Sequence, residues 1–542
     1  MKNYEMIFSQ MSLEEKIGQM FMIGFKEQNL PDDIKSFLNE KNIGFVDIFA
    51  RNIASVEQAT ELMNQIHQQG KIAPMIFTDQ EGGVVCQFAE LTSTFSSPMG
   101  LAATANTSLI ELAAEKMAED LNLIGLDGFI APTIDVNHEP NNPIIGIRSF
   151  SDDVQTVINS GKAFISGVTK TGLATIPKHF PGHGGSLLDS HLVLPTLDYC
   201  EEYFEACDLL PFKEISKTAD FIMTAHIAIP YMDPTSLPAT FSKYFLTDVL
   251  RNKYGFKGVI VTDCLEMGVI KNNYSAEEIV DNTINAGADV MLLSHSLDLQ
   301  QELYNILLEK VKSGKIPEQR IDDSVKRILI TKEKYGFLEY RKSRDISEAL
   351  SLIRNKQEIE DLVCRNTIVL LRNRLKKIPL QTDQKIGIIE WDKTRSTVQL
   401  DEPTHSSYLE KFARKYFKEV KVLLLPLKRS DITVIKEFID ECDNILVGPF
   451  SRTPELEMIQ ANMIREILKL KNDAIVIATG NPYDIRQFPK VSTYVVTFGF
   501  RNSQMRALFD VLTGKFNPCG KLPVEIEGVF PRWYSNSNHS LK

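Results

Sequence analysis

The chain has no apolar run that approaches the roughly 20 residues needed to cross a lipid bilayer. Cysteine is also scarce: seven are scattered over 542 residues, without any Cys-x-x-Cys spacing. That usage is typical of a reduced compartment and offers no metal-binding framework. The first eight residues contain no signal-peptide core and lead into a helix. We therefore expect a cytoplasmic protein that does not bind a membrane.

Positive charge is in short supply as well. Lys and Arg number 60 against 71 Asp and Glu, which gives a net charge of −11. This balance argues against nucleic acid or an anionic membrane as the main partner. The chain is longer than one ordinary hydrophobic core allows, so two domains are expected. The oligomeric state is left open.

Short apolar runs alternate with helix-length segments in the first part of the chain, and most are apolar along their length, as buried parallel strands are. Eight strands joined by helices predict a (β/α)8 TIM barrel, whose active site lies on the loops after the strands. The runs are Met20–Phe25, Ile43–Phe49, Pro74–Thr78, Gly128–Asp135, Ala174–His179, Asp220–Ala225, Gly258–Asp263 and Asp289–Ser294.

A charged stretch, Leu338–Asp345, interrupts this pattern and is followed by a second alternation of strands and helices. We expect a catalytic barrel over residues 1–340, a linker and entry helix over 341–360, and a C-terminal α/β sandwich domain over 361–542. The strands predicted in the second domain are Lys385–Trp391, Val420–Pro426, Asn444–Phe450, Ala474–Ala478 and Ser492–Thr497.

Two strand ends carry residues suited to cleaving a glycosidic bond. In Asp189-Ser-His191, the carboxylate can hold one ring nitrogen, so that His191 donates a proton to a leaving oxygen and later takes one back. Asp263 ends another apolar run and can attack an anomeric carbon as a nucleophile. The alternative is structural: both Asp residues can cap a following helix, with His191 simply exposed.

Further polar residues follow other predicted strands. Asp79 can accept bonds from sugar hydroxyls or cap the next helix. Lys178 and His179 can meet sugar hydroxyls or form a solvated strand end, and Arg148 can contact the sugar or form a structural ion pair. His183 and His226 are expected to support the site rather than catalyse. The glycines between Phe180 and Ser190 indicate a mobile loop, which would swing His191 over the sugar when substrate binds.

Taken together, these stretches resemble the β-N-acetylglucosaminidase branch of glycoside hydrolase family 3, in its two-domain form with an Asp-His acid/base dyad. The resemblance implies Asp263 as nucleophile, His191 with Asp189 as acid/base, and Asp79, Arg148, Lys178 and His179 as sugar contacts. It implies no metal or other cofactor. The matching stretches are Thr78–Gly83, Asn142–Arg148, Lys178–Gly184, Asp189–His191, Met223–His226, Thr262–Met267, Ile368–Asn373, Gly480–Ile485 and Asn517–Pro523.

The chain departs from the family's pattern at two places near the barrel mouth. Gly82-Gly-Val-Val-Cys-Gln87 lacks two Arg residues, and Gly182-His-Gly-Gly-Ser186 lacks an Asp-Thr pair. The expected substrate is a terminal β-linked N-acetylglucosamine on a recycled cell-wall fragment (peptidoglycan recycling) or on a small amino-sugar glycoside.

The expected reaction is hydrolysis with retention, by double displacement. One alternative is a phosphorylase, because a neutral His191 would not repel incoming phosphate as a carboxylate would. Another is a sugar-binding homologue that has lost catalysis.

Overall fold

The computed structural model describes residues 3–190, 193–338, 343–353, 356–391, 407–426, 432–449 and 454–536, the side chains of 454–457 excepted. In the first part of the chain, eight parallel strands follow one another with helices between them. They are β1 (Phe21–Ile23), β2 (Phe45–Asp47), β3 (Met75–Thr78), β4 (Gly128–Phe129), β5 (Ala174–Thr175), β6 (Phe221–Met223), β7 (Val259–Val261) and β8 (Met291–Leu293).

These strands close into a barrel. One sheet runs in the order β8-β1-β2-β3-β4-β5, and β6 pairs with β7. Two single parallel bridges complete the circle: Phe180 with Thr224 joins the β5 side to β6, and Val261 with Val290 joins β7 to β8. The TIM barrel prediction is thus confirmed. Every strand residue is buried, as expected for parallel strands covered by helices outside and by side chains within.

Helices cover the barrel and begin at ordinary caps; Ser12 and Glu15, for example, form a reciprocal capping box. Residues Tyr244–Lys253 are π-helical. The α-helices are Tyr4–Gln10, Leu13–Gln19, Asp32–Lys41, Val56–His67, Pro98–Ala103, Thr107–Ile124, Val154–Lys170, Glu201–Ala206, Leu209–Ile215, Gly268–Lys271, Ala276–Ala286, Leu297–Lys312, Glu318–Lys334, Ile346–Ile353, Gln357–Arg365, Glu410–Tyr416, Ile432–Asp440, Pro454–Leu470 and Asn502–Leu512. Short 3₁₀ turns span Ala50–Asn52, Gly146–Arg148, Ala239–Phe241 and Pro482–Gln487.

The second domain is built on a six-stranded sheet with the order β9-β14-β13-β12-β10-β11. Its strands are β9 (Val369–Asn373), β10 (Lys385–Trp391), β11 (Glu419–Leu425), β12 (Asn444–Gly448), β13 (Ile475–Ala478) and β14 (Thr493–Val496). Five of them were predicted. The sixth, β9, pairs antiparallel with β14 at one edge, and its short apolar run gave no strand prediction.

The two faces of this sheet pack against different helices, which makes the α/β sandwich. Ile388 on β10 belongs to a core that also contains Leu508 of helix Asn502–Leu512 and continues into the barrel. The next residue, Ile389, belongs to a second core, with Ile464 of helix Pro454–Leu470. This alternation follows from the two-residue period of a strand.

The two domains are also joined by hydrogen bonds. Ser503 Oγ donates to the carbonyl of Thr94 at 2.6 Å, and Arg501 Nε donates to the carbonyl of Gly83 at 2.9 Å. The second domain therefore lies against the segment that follows β3. The domain limits predicted from sequence, 1–340 and 361–542 with 341–360 between them, remain our proposal. Among the described residues, none of the helices combines the length and apolar character that a bilayer crossing requires.

Candidate active site

A cavity of about 400 Å³ opens at the carboxyl ends of the barrel strands. It is lined by five of the seven residues that the sequence singled out, which follow four different strands: Asp79, Arg148, Lys178, His179 and Asp263. Because parallel strands end at the same face of a barrel, residues far apart in sequence meet there.

Two cations and two carboxylates form a network on one wall of the cavity. Arg148 holds Glu81 with two parallel bonds, from Nε at 2.9 Å and from Nη2 at 2.7 Å. Lys178 Nζ lies 2.8 Å from Glu81 Oε1 and also donates to Asp79. Glu81 is fully buried, whereas the side chain of Asp79 is 21% exposed. Asp79 is thus the carboxylate of the network that an entering sugar can reach.

The charges of this network stabilise one another despite burial. Burial alone would raise the pKa of Glu81, but Arg148 and Lys178 outweigh it and hold that pKa well below the ordinary value. Burial alone would lower the pKa of Lys178, yet Asp79 and Glu81 raise it. At neutral pH Glu81 is therefore ionised between the charged guanidinium of Arg148 and the ammonium of Lys178, which hold it in a fixed position.

His179 is held by a buried carboxylate behind it. Its Nδ1 lies 2.8 Å from Asp135 Oδ2, and the same carboxylate accepts from the backbone N–H of His183 at 2.7 Å. Burial opposes the ionisation of Asp135, but His179 and His183 lower its pKa overall. The Asp135 bond fixes the orientation of the His179 ring at the cavity wall.

His183 supports the site in another way. Burial, and then the neighbouring His179, lower its pKa to about 4, so it is neutral at pH 7. Its Nε2 lies 3.0 Å from Ser190 Oγ, and Ser190 lines the cavity. Its Nδ1 is buried with no hydrogen-bond partner among the described atoms. His183 therefore anchors the end of the loop that leads to the predicted acid/base.

Asp263 lies two residues beyond β7. Its backbone N–H donates to Thr224 Oγ1 at 3.2 Å, and its Oδ1 accepts from the N–H of Cys264 at 2.7 Å. His226 stabilises the same turn, since its Nε2 lies 3.0 Å from the carbonyl of Cys264. These contacts position the Asp263 carboxylate at the cavity, and the supporting role expected of His226 stays a prediction.

The predicted dyad is only partly described. His191 lies outside the described residues. Asp189 is described and half-buried, and it is one residue from Ser190 on the cavity wall. Asp189 does not itself line the cavity within the described structure. The roles of Asp189 and His191 therefore stay a prediction.

The glycines of the Phe180–Ser190 loop are closely packed in the structure. A Cβ on Gly184 would lie 1.8 Å from the carbonyl oxygen of Val136, and one on Gly185 would lie 2.5 Å from the ring of His138. Asn142 Nδ2 also donates to the carbonyls of both His183 and Gly184, at 2.9 and 3.0 Å. Residues 180–186 are buried. Close packing by itself requires glycine at positions 184 and 185, and the mobility of the loop stays a prediction.

Sequence reasoning missed three carboxylates of the site. Glu81 and Asp135 lie behind the cavity wall and bond Arg148 and His179, which line it. Asp47, the last residue of β2, lines the cavity itself, and its Oδ2 accepts from Ser294 Oγ at 2.9 Å. Burial, and then the charge of Asp79, raise the pKa of Asp47 well above its ordinary value. The signal available was a carboxyl at the end of the predicted run Gly128–Asp135 for Asp135, and a carboxyl inside the otherwise apolar run Ile43–Phe49 for Asp47.

Two groups of described side chains have ligand atoms close enough to hold a metal ion. Cys264, Glu266 and His295 lie at the cavity, and His138, Cys207 and Asp208 lie beside the glycine loop. Both groups are already engaged: Glu266 accepts from the N–H of His295 at 2.6 Å, and His138 Nε2 lies 3.0 Å from Asp208 Oδ2. The chemistry expected of Asp263 requires neither group to bind a metal.

A (β/α)8 barrel with polar side chains gathered at the carboxyl ends of its strands has the arrangement of a barrel enzyme, and this fold hosts many different reactions. Comparison with known families agrees. Residues 12–331 match the glycosyl hydrolase family 3 N-terminal domain, and residues 368–537 match the glycosyl hydrolase family 3 C-terminal domain. The chain therefore belongs to glycosyl hydrolase family 3, which confirms the resemblance noted in the sequence, and it is a glycoside hydrolase.

Similar proteins are found among sequences and among solved structures. A β-hexosaminidase of Haemophilus influenzae is 34% identical over 341 residues, covering 60% of this chain and 95% of that protein. A β-hexosaminidase A of Pseudoalteromonas piscicida is 32% identical over 332 residues, which is only 56% of its own length. The structure of a family 3 β-N-acetylglucosaminidase from Paenibacillus sp. FPU-7 superposes with a TM-score of 0.87 at 30% identity, covering 96% of this chain and 100% of that one.

Proposed function

We propose that the protein is a retaining exo-β-N-acetylglucosaminidase. The observation that carries this proposal is the placement of Asp263 in one cavity with the Asp79, Lys178 and Arg148 network. A cavity of about 400 Å³ has room for one sugar ring, which favours removal of a terminal residue. The similarity to proteins named β-hexosaminidase and β-N-acetylglucosaminidase supports N-acetylglucosamine as that sugar.

In the first step, an Asp263 oxygen attacks the anomeric carbon while the bond from that carbon to the leaving oxygen breaks. His191 donates its proton to the leaving oxygen, and Asp189 stabilises the ring orientation and the imidazolium. In the second step, water attacks the anomeric carbon, His191 takes a proton from it, and the bond to Asp263 breaks. Two inversions at one carbon give net retention.

The remaining cavity residues bind the sugar. In this proposal the Asp79 carboxylate accepts hydrogen bonds from hydroxyls, and Lys178, Arg148 and His179 contact ring substituents. Glu81 fixes both cations before substrate enters, so little reorganisation is needed on binding.

We further propose a small amino-sugar glycoside or recycled cell-wall fragment as substrate, and a cytoplasmic location. The state of the cysteines supports the location: all seven lie in the described structure and all are free. A reduced compartment is where such a set of thiols persists.

The test is turnover of an aryl β-N-acetylglucosaminide with and without phosphate, with products identified by mass and by the anomer first released. We expect N-acetylglucosamine as its β-anomer in both conditions. If a sugar phosphate forms when phosphate is present, the reaction is phosphorolysis and not hydrolysis. If no product forms in either condition and the protein still binds N-acetylglucosamine, the protein is a sugar-binding homologue without catalysis.

A further inference from the structure

Three side chains with metal-binding atoms lie together on the wall of the candidate active site. Cys264, Glu266 and His295 each offer one ligand atom, and these atoms lie within 4.8 Å of one another. All three residues line the cavity of about 400 Å³ that Asp263 also lines. We refer to them as the Cys-Glu-His group. An ion held by this group would lie in the cavity that the sugar must enter.

The imidazole of His295 is available to a ligand. The hydrogen bond to Glu266 Oε2 comes from the backbone N–H of His295, at 2.6 Å, and does not involve the ring. Within the described structure neither ring nitrogen takes part in a hydrogen bond, and the ring lies against Phe49 with centroids 5.8 Å apart. In the group beside the glycine loop, by contrast, His138 Nε2 lies 3.0 Å from Asp208 Oδ2. The Cys-Glu-His group is therefore the one whose imidazole is ready to bind an ion.

Two short segments hold the three ligands in place. Cys264 and Glu266 follow β7, and His295 follows β8, the next strand of the barrel. The backbone bond from His295 to Glu266 ties the two segments together, and the N–H of Leu265 donates to the carbonyl of Leu292 at 2.9 Å. The ligand atoms therefore need little rearrangement to meet around an ion.

The ligand set selects the kind of ion. A sulfur, an imidazole nitrogen and a carboxylate oxygen form a set typical of Zn²⁺, and three protein ligands leave its fourth position open. The charges of Arg51, Lys26 and Lys271 reach His295 and repel a cation that is held by electrostatic attraction alone. Mg²⁺ and Ca²⁺ prefer oxygen ligands, so the Cys-Glu-His group should bind neither of them.

We propose that the Cys-Glu-His group binds Zn²⁺ and that the bound ion inhibits the enzyme. The ion forms bonds to Cys264 Sγ, to one oxygen of Glu266 and to one ring nitrogen of His295, and the thiol proton passes to solvent. Because Asp263 lines the same cavity, the ion obstructs the sugar and attracts the carboxylate that must attack it. Inhibition rests on the proposed function, whereas binding does not.

The first test measures binding without turnover. The protein is dialysed against a chelator, and Zn²⁺ is titrated into it in competition with a chromophoric chelator. We expect Cys264→Ser and His295→Asn each to weaken Zn²⁺ binding at least about tenfold, since even the loss of a residue that only orients a ligand costs about 10–100-fold. His295 is exposed, so its replacement leaves the packing of the barrel intact. Excess Mg²⁺ should not displace Zn²⁺.

Two cysteine variants are the matched controls. Cys200→Ser removes an exposed thiol outside the cavity, and Cys207→Ser removes the thiol of the group beside the glycine loop. Both should bind Zn²⁺ as tightly as the wild type. Binding that is absent from the wild type, equal in all variants, or lost in Cys207→Ser and kept in Cys264→Ser would overturn the proposal.

A spectroscopic measurement identifies the sulfur ligand. Co²⁺ is added to the dialysed protein in place of Zn²⁺, and the absorption spectrum is recorded. A charge-transfer band from thiolate to cobalt should appear in the wild type and in Cys200→Ser and be absent from Cys264→Ser. The same band in Cys264→Ser would mean that another thiol holds the ion, which contradicts the proposal.

The second test measures inhibition with an aryl β-N-acetylglucosaminide. Each protein's rate in Zn²⁺ is divided by its own rate without metal. The wild-type ratio should fall over the Zn²⁺ concentrations at which binding occurs, and His295→Asn should require at least about tenfold more Zn²⁺. Full activity with Zn²⁺ bound, or equal inhibition of His295→Asn, would overturn the inhibitory role. If the glycoside is not turned over at all, the proposed function fails, and the binding test alone decides whether the site exists.

Discussion

Replacing Glu81 by Gln should destabilise the barrel strongly, although the two side chains have nearly the same volume. Glu81 is fully buried and neutralises Arg148, which otherwise bonds the carbonyl of Ile144 at 3.2 Å. Lys178 keeps Asp79 as a partner in the variant, so the uncompensated charge falls on Arg148. Removing one partner of a buried pair costs about 3–5 kcal/mol.

The dependence of the unfolding free energy on pH should also change at acid pH in Glu81→Gln. Because the pKa of Glu81 is lowered in the folded protein, its stabilising contribution is complete above the unfolded value of about 4.3 and is lost as pH falls toward the folded value. The Glu81→Gln variant lacks this titrating group, so its free energy of unfolding should fall less than that of the wild type as the pH is lowered below about 4.3.

Far-UV circular dichroism is the suitable readout for unfolding of the barrel. Tryptophan fluorescence is less suitable, because both tryptophans, Trp391 and Trp533, lie beyond the barrel. Glu214→Gln is the control: Glu214 pairs at the surface with Lys217, and such pairs contribute roughly 0–1 kcal/mol. If Glu81→Gln unfolds at the same denaturant concentration as Glu214→Gln and keeps the wild-type acid profile, the buried network does not stabilise the site as argued.

Three further predictions concern the loop and the chemistry. His191→Ala should slow substrates with poor leaving groups far more than activated aryl glycosides, with Asp189→Asn showing a weaker form of the same pattern; equal losses on both substrates would mean that His191 only binds. Gly184→Ala should lower the melting temperature and the activity more than Gly314→Ala, because the Gly184 Cβ would collide with the Val136 backbone, whereas a Cβ on Gly314 meets nothing within 4 Å and the replacement is strained only by its φ of +76°; equal effects would refute the packing argument. Dialysis against a chelator should leave turnover unchanged, and activity lost with the chelator and restored by a divalent metal would show that the mechanism is incomplete.

The barrel and the position of Asp263 could be predicted from sequence for a simple reason. Buried parallel strands are apolar along their length, so a charged residue at the end of such a run is conspicuous, and all strand ends meet at one face. The five cavity residues found by sequence each lie at or beyond the end of a strand.

Glu81 and Arg501 could not be found this way. Glu81 lies in a Gln-Glu-Gly-Gly stretch outside any apolar run, yet a short antiparallel hairpin of Gln80–Gly82 with Val85–Cys86 contains it and it is completely buried. Arg501 reaches Gly83 across 418 positions of sequence, so only the packing of the two domains brings it there. The close packing of the loop glycines could not be predicted, because a need for close approach and a need for flexibility select the same residue.

The measurement that tests the account most directly is covalent trapping of the nucleophile. A fluorinated N-acetylglucosaminide inactivator with a good leaving group is incubated with the protein, and the labelled peptide is sequenced by mass spectrometry. We predict that the sugar is bound to Asp263 and that Asp263→Ala, while still folded, is neither labelled nor active. Label on Glu266 instead, or near-normal turnover by Asp263→Ala, would contradict the account.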